Sequence, residues 1–198
     1  MPAAKTHRWT FRARFRAGAF GWRSEVPIKR IKEAVSEIKA VARKDRVLAA
    51  EGAVIFLEKV ADALEQVDSS SGAIGSTVNR AIETLVPIIA QAPATDAMRD
   101  KWLDRLWQAI DDDAMPYIDL LPDHWGELCV TPERASQWAD HFIGVVHIIW
   151  GPDQPREGHF KGTAACLSAL FTAGQFEELL KLLDLAPYKF WHDREWGV

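Results

Sequence analysis

The segment Asp68-Ser69-Ser70-Ser71-Gly72-Ala73-Ile74-Gly75 is the part of this chain best suited to hold a ligand. Small hydroxyl-bearing residues and glycines ahead of a helix present backbone N–H groups and the positive end of the helix dipole, which together favour an anion. Ser69, Ser70, Ser71, Gly72 and Ser76 are the candidate contacts, and Arg80, one turn into the helix, would add charge. The Gly-Lys-Ser/Thr ending of a P-loop is missing and no strand precedes the segment. The commoner use of such a stretch is a tight inter-helix loop with Ser76 as N-cap.

A second arrangement lies at the N-terminus. Residues 1–25 hold Lys5, Arg8, Arg12, Arg14, Arg16 and Arg23 against Glu25 alone, a net of +5. The whole chain carries −4, so the remainder carries −9. Trp9, Phe11 and Phe15 interleave with the arginines, as bases and phosphates would require. Arg8, Arg12, Arg14, Arg16 and Arg23, with Lys29 beyond them, are therefore candidate polyanion contacts. The opposing expectation is a basic end that docks on its own acidic body, which would repel nucleic acid.

Other chemistry finds no support. Cys129 and Cys166 lack zinc-site spacing and cannot form a disulfide scaffold, which suits a reducing cytoplasm. The six-residue separation of His141 and His147 puts them on different helix faces. Asp111, Asp112, Asp113, Asp119 and Asp123 lack the alternation and central glycine of a calcium loop. There is no Gly-x-Ser-x-Gly elbow and no carboxylate pair that marks a glycosidase. No enzyme, cofactor or metal is expected. The nine tryptophans are scattered along the chain, as packing anchors would be, rather than clustered as a stacking platform.

The elements that must position these residues are helices. Ile28, Ile31, Val35, Ile38 and Val41 trace one stripe over 27–43. Asp45 caps a second helix over 45–67 that is apolar around more than half its circumference, and the short connection makes the two an antiparallel hairpin. A third runs over 76–90, with Pro87 expected to kink it. Thr95 caps a fourth bearing Met98, Trp102, Leu106 and Ile110, which stops at Asp111-Asp112-Asp113 against the dipole. After an irregular stretch over 114–130, Thr131-Pro132-Glu133 starts a fifth helix reaching Trp150, with Ala135, Trp138, Phe142, Val145, Val146 and Ile149 inward. Two short helices over 162–172 and 176–185 follow, and a last one begins near Pro187. Its apolar pattern (Phe190, Trp191, Trp196) breaks off at Val198, so the chain is expected to continue. Residues 9–16 read as a helix or an irregular cap. The longest apolar run, 142–150, falls short of the roughly 20 residues a membrane span needs.

The run 164–180, with Gly174 at the turn and Phe176 opening the next helix, resembles the turn of a tetratricopeptide-type pair. Residues 26–110 look more like HEAT-type pairs. Three segments, Ala19-Phe20-Gly21-Trp22-Arg23, residues 68–75 with Val78-Asn79-Arg80, and Phe190-Trp191-His192, resemble an uncharacterised bacterial family of helical-repeat proteins. That resemblance implies an all-helical fold and no mechanism.

The expected fold is all-α: stacked antiparallel hairpins in an α-solenoid-like right-handed array. Residues 1–25 are expected to form a basic aromatic segment and residues 26–198 the helical-repeat domain. A cytoplasmic protein-interaction scaffold is the first functional expectation. Polyanion binding through the N-terminal arginines, then small-anion binding at 69–76, are the alternatives. The partner implied is another protein, a second copy included, more than nucleic acid, and no membrane.

Overall fold

A computed structural model describes residues 7–151 and 160–186 of the 198. The described residues are all-α and contain no strand. The chain divides into two compact units, Met1–Asp119 and Leu120–Val198, with the boundary after the fourth helix.

In the first unit, a 3-10 turn (Phe11–Ala13) precedes α1 (Glu25–Ala42), α2 (Arg46–Leu64), α3 (Ala73–Ala90) and α4 (Asp96–Asp112). The capping signals are used as the sequence spells them: Asp45 accepts from the Leu48 N–H at 2.9 Å and Thr95 from that of Met98. Helix α2 is buried on most of its circumference and is the core of the unit, packed by α1, α3 and α4. Helices α1 and α3 also pack on each other. Sequential stacking breaks at α4, which returns to α2. Arg105 makes that return: its guanidinium bonds both Glu58 oxygens and Glu51 Oε1 at 2.6 Å, while the Trp102 indole donates to Glu51 Oε2.

In this unit two expectations are corrected, the N-cap of α3 and the inward place of Met98 on α4. Helix α3 begins at Ala73, so Ser76 lies in its first turn and is not the N-cap; Gly72 is, in the left-handed conformation (φ 69°) that suits glycine. Helix α3 ends at Ala90, as expected, with Pro87 inside it. On α4, Met98 is 37 % exposed and its neighbour Arg99 takes the inward place. Of the two readings of residues 9–16 the irregular cap, around the short 3-10 turn, is the one seen, with Trp9, Phe11 and Phe15 buried against α2, where Phe11 and Phe15 meet Phe56 edge-on.

The second unit holds a 3-10 turn (Leu121–His124), α5 (Trp125–Cys129), α6 (Pro132–Trp150), α7 (Gly162–Thr172) and α8 (Phe176–Leu185). Helix α7 is apolar all round and is packed by each of the others. Its one buried hydroxyl, Ser168, accepts from the Gly126 N–H and donates to the Asp123 carbonyl. A Cβ at Gly126 would strike the Ser168 carbonyl and Thr172, so only glycine lets α5 approach so closely. Helix α7 ends in a Schellman motif: Gly174 (φ 71°) donates to Phe171 O and Gln175 to Leu170 O. The inward face of α6 is turned from the expected stripe, with Ala139 and Trp150 buried and Val145 40 % exposed. The expected last helix, with Phe190, Trp191, His192 and Trp196, lies outside the described residues.

Candidate functional site

The Ser/Gly loop is closed on itself. Asp68 Oδ1 accepts from the Ser70 N–H at 3.0 Å, Ser69 O from the Gly72 N–H at 2.9 Å, and Ser71 Oγ from the Ala73 N–H at 3.4 Å. The N–H groups of Ser70, Gly72 and Ala73 are thus engaged within the loop. Those same hydrogen bonds from Ser70 hold the Asp68 carboxyl below its ordinary range, keeping a negative charge beside the would-be site. Ser69, Ser70, Ser71, Gly72 and Ser76 are exposed, but Arg80 does not join them.

The N-terminal arrangement is also divided. Trp9, Phe11 and Phe15, the aromatics that interleave with the arginines, are core residues and present no face for a base to stack on, whereas Trp22 is exposed. Arg8, Arg12, Arg14, Arg16 and Arg23 are exposed on the outside of the segment. Arg14 pairs with Glu33 at 3.2 Å, and Thr10 donates to Glu37 through both its N–H and its hydroxyl. Glu33 is held as an anion chiefly by the Arg30 hydrogen bond, which lowers its pKa. The segment packs through its aromatics, Thr10 and Arg14, while Arg8, Arg12, Arg16 and Arg23 remain exposed.

Arg80 lies elsewhere, in a groove of about 410 Å³ between α1 and α3. Lys32, Lys39 and Arg43 face it from α1. Three hydroxyls, Ser36, Thr77 and Thr84, stand among these cations, and Ile31, Val35, Ala40 and Ala81 supply the apolar lining. No carboxylate is among the lining residues. The helical repeat explains the assembly. Lys32, Ser36, Lys39 and Arg43 are spaced 4, 3 and 4, one stripe along α1, and Thr77, Arg80 and Thr84 are spaced 3 and 4 along α3. At about 100° per residue, Glu33 and Glu37 project from a different flank of α1, where the N-terminal segment covers them. Acids are therefore taken up on one flank and cations left on the other.

Sequence reasoning placed Arg80 in the wrong company and missed Lys32, Lys39 and Arg43. A signal existed: residues 1–46 hold 13 Lys/Arg against four Asp/Glu, so the basic region extends through α1. Only the pairing of α1 with α3 brings Arg80 to the same groove.

Cys129 closes α5 and Cys166 lies inside α7, both buried. Burial pushes the Cys166 thiol up to about 12 from 9.0. Below pH 9 the thiol is neutral folded or unfolded and pH has no effect through it. Between about 9 and 12 only the unfolded chain gains by ionising, so stability falls as pH rises. A thiol-reactive dye at pH 8 is expected to leave Cys166 unmodified until denaturant unfolds the chain; prompt native labelling at Cys166 would contradict this. Among the described residues no group of three or more His, Cys, Asp or Glu is placed to hold a metal ion, and no helix is long and apolar enough to cross a membrane.

Compared with known protein families, curated proteins and solved structures, the chain matches none.

Proposed function

We propose that this protein is a non-catalytic binding module that takes an anionic partner in the α1–α3 groove. The observation that carries this reading is the lining itself: Lys32, Lys39, Arg43 and Arg80 converge with no carboxylate among them. Like charges held together repel in the empty groove and are relieved by an anion, so the groove favours negatively charged partners over neutral ones. All four cations are exposed, which suits electrostatic docking of a partner more than catalysis in a water-excluded site.

Within this proposal the fold is a helical-repeat scaffold, an α-solenoid-like array kin to HEAT or tetratricopeptide pairs. The α1/α2 hairpin and the Gly174 turn between α7 and α8 support it. So does the concavity between α1 and α3, since repeat scaffolds commonly bind through such surfaces. A cytoplasmic setting belongs to the same proposal.

Polyglutamate and a single-stranded oligonucleotide serve as probes, titrated at low and at physiological salt. At least one is expected to bind, with affinity falling steeply as salt rises. The Lys39→Glu/Arg43→Glu variant changes two exposed positions and is expected to lose tenfold or more while keeping its helical circular dichroism. Absence of binding by both probes, or equal binding by the variant, would remove the proposal.

A further inference from the structure

The occupant of the groove can be narrowed by its shape, on the assumption that the groove is the binding site. Helices α1, α2 and α3 pack mutually, and the residues lining the groove come from α1 and α3 alone. Helix α2 therefore covers one side of the α1–α3 pair, and the groove is the other side. A cleft between two packed helices is the seat that a further helix fills by ridge-into-groove packing. The cations follow the same geometry: from Lys32 to Arg43 the α1 stripe runs about 16 Å, three helical turns. Its spacing of 4, 3 and 4 is that of one face of a helix laid alongside.

We infer that the groove receives an acidic amphipathic helix from a partner protein. Apolar residues of that helix would cover Val35 and Ala40, and Glu or Asp at spacings of 3 and 4 would meet Lys32, Lys39, Arg43 and Arg80.

Two other anions fit less well. A small phosphorylated ligand is normally buried over most of its surface; here every cation is exposed and no cation is shielded to grip one compact charge. A single-stranded nucleic acid needs aromatic platforms for its bases. The groove lining contains none; in the N-terminal segment Trp9, Phe11, Phe15 and Phe20 are buried, which leaves the exposed Trp22 as a single platform outside the lining. An acidic helix uses what is present: a helix-wide cleft, partly apolar, flanked by basic rows.

The test uses three probes of matched length and charge against the full chain. One is a peptide of about 18 residues, roughly five turns, with leucines on one stripe and glutamates flanking it. The second is its scramble, with the same composition and no stripe. The third is a single-stranded oligonucleotide. The amphipathic peptide is expected to bind at least tenfold more tightly than the scramble, and its helical circular dichroism should rise on mixing. Arg80→Glu should weaken it, and a peptide carrying lysine at the facing position should restore binding to that variant. Val35→Ser should weaken the amphipathic peptide and leave the scramble unchanged.

Equal binding of peptide and scramble would overturn the helix and leave a groove that reads charge alone. Tighter binding of the oligonucleotide, abolished by Lys39→Glu/Arg43→Glu, would replace the helix by a phosphate backbone. Silence from all three probes would remove the underlying proposal as well.

Discussion

Replacing Arg99 by methionine is expected to lower stability by about 3 kcal/mol, roughly 6–12 °C in Tm for a chain of this size. Arg99 is 4 % exposed. Its guanidinium donates to the carbonyls of Ile89 at 2.7 Å, Ala90 at 3.2 Å and Ala92 at 2.8 Å, and lies over the Trp102 ring at 5.5 Å. The last carbonyls of a helix have no partner within it. Here one side chain from α4 serves the end of α3 and the loop after it. Its positive charge also complements the negative end of the α3 dipole. Methionine keeps much of the stem volume and leaves the carbonyls buried without those donors. Lysine should rescue only partly, because one ammonium cannot span the three acceptors with the geometry of a planar fork. Thermal unfolding of the methionine and lysine variants would check this; a Tm within about 2 °C of the native protein for the methionine variant would refute it.

The Gly52→Ala variant is expected to detach the N-terminal segment. A Cβ at Gly52 would fall inside the Trp9 indole, which is only 5 % exposed. Alanine favours the helix by up to about 1 kcal/mol. Displacing an indole and the Phe11–Phe15–Phe56 cluster beside it outweighs that gain, for a net loss of about 2 kcal/mol. Hydrogen exchange gives the local readout. The N–H groups of Arg14, Phe15 and Gly18 bond to Phe11 O, Phe11 O and Asp62 O, and should lose protection while the α7 amides keep theirs. In a Trp9→Ala background the same substitution should do no further harm. Persistent protection of residues 14–18 in the single variant would show that Trp9 is not held by that contact.

These two residues mark what local pattern hides. Arg99 counts as a surface charge in any helical-wheel reading, which gives its buried place to Met98. Gly52 looks like a weak point in α2, yet it is the seat of a residue 43 positions earlier. A periodicity argument sees only whether a residue is apolar; it cannot see that three backbone carbonyls or an indole lie opposite.

The groove follows the same division. The cationic stripe of α1 can be read from the spacing of Lys32, Lys39 and Arg43 once the basic region is followed past residue 25. Arg80 cannot be assigned to it by sequence, since an Arg one turn into a helix is equally placed to serve the loop before it. The Ser/Gly segment attracted a ligand reading because its composition is the same whether its N–H groups face outward or inward. Asp68 and the hydroxyl of Ser71 turn two of those groups, the N–H of Ser70 and of Ala73, into bonds within the loop.

By itself the sequence determined the longer helices, several caps, the Gly174 turn and most of the apolar stripes, because capping and the 3.6-residue period act within a few neighbouring residues. Tertiary packing alone decided that α4 returns to α2, that Trp9, Phe11 and Phe15 are core and that Arg80 faces α1. Those outcomes depend on which surfaces meet across dozens of residues, and shape and orphaned polar groups select among pairings that hydrophobicity leaves equivalent.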